Sequence, residues 1–209
     1  DAKWNASTGA ESYQLDVSLS STFSSLLPEY NNLPVNATSR RVSGLISGTT
    51  YHYRVRAVNA SDVSANSNTI STITLPAVPL ADEATDFSTA AFTANWRSVT
   101  GAASYQLDVS EIADFSTLLP NYNNLTVNGT SQIISGLPSG MQHYYRVRAI
   151  NASGASANSN SVSAKTISLP PLAKPASSVL TTSFTAHWDA ATGAEYYRFD
   201  LATDESFGN

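Results

Sequence analysis

The 209-residue chain is 42% hydrophobic but only 13% charged, with a formal net charge of −5 and a pI near 5.0, so hydroxyls and amides rather than ions hydrate its surface. The acidic balance excludes a phosphate-neutralising nucleic-acid surface and attraction to an anionic membrane. The lack of cysteine excludes a disulfide framework, a thiolate zinc site and a cysteine nucleophile, and no apolar run nears the roughly 18 residues of a spanning helix.

From the N-terminus onward, one step organises the chain. Trp4, Trp96 and Trp188 are each 92 residues apart, as are Gly9, Gly101 and Gly193, Tyr13, Tyr105 and Tyr197, and Phe23, Phe115 and Phe207. Residues 1–74 and 93–166 are identical at 45 of 74 positions. A period of 92 is too long for a solenoid repeat and suits one small domain. The expected units are 1–76, incomplete at its start, 77–170, complete, and 171–209, incomplete at its end. "DAKWNASTGA" has neither the basic start nor the apolar stretch of a secretory leader. The register suggests a window from a longer array or, failing that, end units completed by strands of another chain, as in a filament.

Within a unit, the strands alternate with period two. "FTANW" sets Phe92, Ala94 and Trp96 on one face, and "SYQLDVS" does the same with Tyr105, Leu107 and Val109, leaving Gln106 and Asp108 opposite. "YRVRAIN" turns Tyr145, Val147 and Ala149 inward and Arg146 and Arg148 outward. Gly, Pro, Asn and Ser clusters such as "TGAAS", "LPNYNN" and "NASGAS" supply the turns. Short strands at this spacing predict an all-β sandwich. The linkers "TLPAVPLADEA" and "SLPPLAKPASS" look slipped by two residues, with the register regained at Phe92 and Phe184; their prolines favour extended, semi-rigid geometry.

A Trp in the second strand, Tyr-x-Leu in the third and "GLISGTTYHYRVRAVNASDVSANS" at 44–67 resemble the fibronectin type III module, in the version common in secreted and surface proteins of Bacteroidetes-like bacteria. The resemblance implies tandem immunoglobulin-like, seven-stranded β-sandwiches with no required disulfide. It also implies a corner tyrosine before the sixth strand, Tyr51, whose place in the second unit His143 takes. An imidazole is shorter, so a weaker or water-filled corner is expected there.

No catalytic motif is present, and no cofactor or metal is expected. His52, His143 and His187 do not recur at equivalent positions, and His52 and His187 are expected to point outward. Asp16, Asp108 and Asp200 recur on the outward face of the third strand, beside Arg54/Arg56 and Arg146/Arg148; a weakly stabilising cross-strand ion pair is expected. Glu111 and Asp114 could touch calcium, but Leu19 and Thr22 replace them in the first unit. The candidate ligand patch is Tyr30, Asn31 and Asn32, repeated as Tyr122, Asn123 and Asn124, where a ring beside amides could stack on a sugar. Packing over the sandwich edge is the plainer reading of the same residues. Sequons at Asn5, Asn36, Asn59, Asn124, Asn128 and Asn151 fit turn preference in an Asn-rich repeat.

The near-identical units, the short Pro-containing linkers and the lack of site chemistry thus point to an extracellular, non-catalytic spacer, stalk, filament or adhesive segment, whose partners are neighbouring repeats of the same or an identical chain. The alternatives are a carbohydrate- or cell-surface-binding module and accessory domains of a larger secreted enzyme.

Overall fold

The computed structural model describes residues 1–207 and contains strands, turns and two short 3-10 segments. The central unit has two facing sheets. β7 (Ala81–Thr85), β8 (Ala91–Trp96) and β11 (Ser131–Ser135) form one, in the order β11-β8-β7. β9 (Ser104–Ser110), β10 (Leu125–Val127), β12 (Gln142–Asn151), the short β13 (Gly154–Ala155) and β14 (Val162–Lys165) form the other. There β9 lies between β10 and β12, and β13 and β14 pair successive stretches of β12. All ladders are antiparallel.

The alternation read from sequence becomes the core. Phe92, Ala94, Leu107, Val109, Ile134, Tyr145, Val147 and Ala149 are fully buried, with Trp96 over Tyr105 at 5.7 Å between ring centroids. Asn160 closes one edge of the sandwich: its amide donates to and accepts from the backbone of Ala81, both at 2.9 Å, tying the first strand to the last.

The preceding unit repeats this plan with β1 (Ala2–Lys3), β2 (Ser12–Ser18), β3 (Leu33–Val35), β4 (Ser39–Arg40), β5 (Thr50–Val58) and β6 (Ile70–Ile73). Its four-stranded sheet runs β3-β2-β5-β6, and β1 pairs β4. Where β7 lies in the central unit, this one has an open cleft of about 820 Å³ beside Trp4, Tyr13 and Ile70. Beyond Pro171 lies a hairpin of β15 (Ala173–Ser177) and β16 (Thr185–Trp188), with Trp188 packed on Tyr197 and Phe199.

The apparent two-residue slip of the linkers is corrected by the strands. β7 and β15 begin 92 residues apart, and Gly48 N–H to Leu75 and Gly140 N–H to Ile167 are equivalent bonds, so the step runs unbroken through both linkers. The prolines had shifted the text, not the backbone register.

Tyr51 makes the expected corner, its hydroxyl accepting from Ile46 N–H at 2.9 Å. The second corner differs more than one side chain suggests. Pro138 occupies the place of Ile46 and has no N–H to donate. His143 is fully buried, bonds locally to the Met141 carbonyl at 3.2 Å through Nδ1, and leaves Nε2 without a partner. The tyrosine and its donor are replaced together.

Candidate functional site

Two constellations repeat with the 92-residue step. The first surrounds the third-strand aspartate. Asp108 sits on β9 opposite Arg146 of β12. Its carboxylate accepts from Asn124 N–H at 2.9 Å, from Arg146 Nε at 3.1 Å and from Arg148 at 3.2 Å. Arg148 also bonds the Asn124 side-chain oxygen. Asp16 is held in the same way by Asn32, Arg54 and Arg56. Alternation had placed both aspartates on a wet face as weak surface pairs, yet each is only 1% exposed. The two arginines lie over the carboxylate and exclude water, so these are buried charges fully furnished with donors. Asp200 of the last segment is exposed and outside any strand.

Two local devices build this cluster. Asn32 and Asn124 adopt left-handed backbone, φ 56° and 55°, which aims their N–H groups at the carboxylates. Phe23 and Phe115 are also left-handed, both at φ 59°, which is strained for a bulky residue. Each ring then lies under an arginine, Arg54 at 4.1 Å and Arg146 at 4.2 Å from the centroid.

The Tyr-Asn-Asn segments belong to the same assembly. Tyr30 is buried, and its hydroxyl donates to the Ser43 carbonyl at 3.1 Å and accepts Ser43 N–H at 2.8 Å. Tyr122 holds Ser135 likewise, at 3.3 and 2.9 Å. Asn32 and Asn124 donate to the side chains of Asn31 and Asn123. The phenol hydroxyls bridge to Ser135 at the end of β11 and to the equivalent Ser43, and the second asparagine of each pair serves the Asp–Arg cluster; Asn31 and Asn123 remain at the surface. His52 is partly exposed on Ser71, and His187 lies exposed beside Ser177. Asp114 is exposed, and the Ser116 N–H and hydroxyl hold its carboxyl below the usual value. Among the described residues no group of three or more His, Cys, Asp or Glu could hold a metal ion, and no helix is long and apolar enough to cross a membrane.

The second constellation lies between units. The Ser47-Gly48 turn abuts the Thr100-Gly101 turn, and a β-carbon on either glycine would collide with the backbone of the other turn. Gly140 meets Thr192-Gly193 in the same fashion. All four glycines have positive φ, between 62° and 75°. Beside the first contact, Asn151 donates its amide to the Thr74 carbonyl at 2.8 Å, Ser153 donates its hydroxyl to the Ile73 carbonyl, and Leu75 packs toward Gly154. Beside the second, Lys165 pairs with Glu195 at 3.5 Å. In sequence Gly101 and Gly193 mark the period and nothing singles out Gly48 or Gly140; their joint role appears when turns 53 residues apart are brought together.

No family model matches the sequence. Chitinase A1 of Niallia circulans is 32% identical over 146 residues, which is 63% of this chain and 20% of that protein. The chain therefore spans about a fifth of the length of that curated relative. Among solved structures, a two-domain fibronectin type III segment of chicken tenascin is 21% identical, covers 78% of this chain and 90% of its own, and has a TM-score of 0.46. The FN1–FN3 domains of chicken CNTN1 are 15% identical over 75% of this chain and 56% of theirs, with a TM-score of 0.38. The fold rests on strand order and not on these superpositions. With β11-β8-β7 facing β10-β9-β12 and the β13 and β14 segments that share the edge of β12, a tryptophan in the second strand and a tyrosine corner in the first unit, the chain is a tandem of fibronectin type III folds.

Proposed function

We propose that the chain is a non-catalytic spacer in an extracellular tandem-repeat protein, setting a fixed distance and orientation between what lies on either side. The junctions carry this reading. A flexible tether needs no fit between its units, whereas these units meet backbone to backbone at equivalent glycines on both occasions. The two clusters that gather polar chemistry are spent on internal bonds, which suits a scaffold.

Solution scattering tests the reading. Gly101→Val should increase the spread of interunit angles and broaden the distance distribution. Gly9→Val is the control: Gly9 has the same left-handed backbone, φ 79°, but no neighbour within 4 Å of an added β-carbon. Both variants strain a turn, and only the first opens a junction. Identical scattering from the two would overturn the spacer reading.

The partial similarity to Chitinase A1 favours a second reading, in which these units accompany a catalytic domain of a secreted carbohydrate-active enzyme. The surface around Tyr30, Asn31 and Asn32 and around Tyr122, Asn123 and Asn124 is then the place for a carbohydrate or cell-surface contact. Retention on chitin that falls in an Asn31→Ala/Asn123→Ala variant, which keeps the tyrosines and their internal bonds, would support it; flat isotherms on chitin and a broad glycan panel would sink it.

A further inference from the structure

The receiving side of each junction is built from two loops of the downstream unit. One is the turn ending Thr100-Gly101, closed by Ala102 N–H to the Val99 carbonyl at 3.2 Å. The other runs from Asn151 to Gly154; there the Asn151 carbonyl oxygen of the side chain accepts Ser153 N–H at 2.9 Å, which frees its amide to reach Thr74. The first of these turns recurs at Thr192-Gly193 and is again filled, by Gly140.

The same receiving face exists a third time. In the first unit, Ala10 N–H closes the turn onto Ser7 at 3.1 Å, and Gly9 stands at φ 79° where Gly101 stands at 74°. Asn59 occupies the place of Asn151 and Ser61 that of Ser153. The Asn59 side-chain oxygen accepts Ser61 N–H at 2.9 Å, so its amide is oriented as in the filled copy. Nothing lies within 4 Å of a β-carbon at Gly9, and the face opens onto a hollow of about 400 Å³ lined by Thr8, Gly9, Asn59, Ser61 and Asp62. Asn59 and Ser61 are exposed, whereas Asn151 in the filled copy is only 8% exposed.

We infer that the Gly9–Asn59–Ser61 face is a docking surface for the glycine turn and outgoing strand end of a further copy of this same unit. Both filled copies specify a left-handed Ser-Gly turn to lie against Thr8-Gly9, and the first of them adds two strand-end carbonyls to accept from Asn59 and Ser61. One residue departs from the filled copy. Asp62 stands where Gly154 gives room to Leu75, so its side chain narrows the hollow and brings a negative charge towards carbonyl oxygens.

The inference shares its geometry with the spacer reading but fails separately, because that reading is judged on the junctions already present. The test places residues 1–92 ahead of Asp1 in the full chain, which completes the first unit and sets a second Gly48 upstream of Gly9. The comparison is the same extended chain with Gly48→Val in the added copy only. Exchange of the Asn59 side-chain amide should be at least tenfold slower in the unaltered extension, and Asp62→Gly should slow it further. The Asn151 side-chain amide, which donates to the Thr74 carbonyl at 2.8 Å, serves as the internal standard and should exchange alike in both. Equal exchange at the Asn59 side chain in the two extended chains, with Asn151 protected in each, would overturn the inference.

Discussion

At the scale of single residues, the molecule depends on a charge that its surface hides. Asp108 and Asp16 each accept four hydrogen bonds from three donor groups, and loss of the charge leaves two arginines covering an uncompensated site. Asp108→Asn should destabilise the central unit by about 3 kcal/mol, read as a lowered urea midpoint with unchanged slope. A loss below about 1 kcal/mol would return the cluster to the class of surface pairs. His143 makes a pH-dependent contribution of known sign. Burial holds its imidazole below the ordinary value, opposed by the Met141 carbonyl and by Glu111. The unfolded chain therefore takes up a proton that the folded one resists. Stability is complete above the ordinary imidazole pKa of about 6.5 and falls as pH drops from there towards the folded value. His143→Gln should lose less stability than the native chain between pH 7.5 and 5.5; parallel pH profiles would refute this. The presence of Asp108 beside two arginines was legible from alternation. Its burial was not, because period two assigns a face and says nothing of what lies over it.

At the scale of elements, the last strand of each sandwich is interrupted, yet its neighbour's N–H groups are met. In the central unit Val147 and Ala149 on β12 donate to the hydroxyls of Ser159 and Ser156, both at 3.0 Å, and those hydroxyls donate onward to the Asn160 and Ala157 carbonyls. Ser67 and Ser64 do the same for Val55 and Ala57. The "SANS" stretches thus complete a ladder with side chains and leave an irregular edge that offers a poor template to a stray strand. Ser156→Ala should cost about 1–3 kcal/mol, since the Ala149 N–H is buried and would have no acceptor. Amide exchange at Ala149 should quicken accordingly, and unchanged exchange would mean that water replaces the hydroxyl. The regular strands were readable because their inward residues are large and apolar. The serine-completed edge was not, because a serine that bonds its neighbour's backbone looks the same in text as one in a loop.

At the scale of the whole molecule, the fold of one unit was legible from its strands, while the way units meet was not. Residues 48 and 101 belong to turns of different units, and no local pattern marks them as partners. What sequence offered was periodicity, and the structure converts that periodicity into a joint used twice. The first two units each carry a protruding half of the joint, at Gly48 and Gly140, and the turn of the receiving half stands at Gly9, Gly101 and Gly193. The consequence lies in heredity. A gene segment of one period encodes both halves of its own connection, so a tandem duplication adds a unit with a joint already fitted, and a deletion of one period removes one without leaving mismatched faces. Under the spacer role proposed above, the number of units is free to change in whole steps, provided that each copy keeps the glycines of the joint.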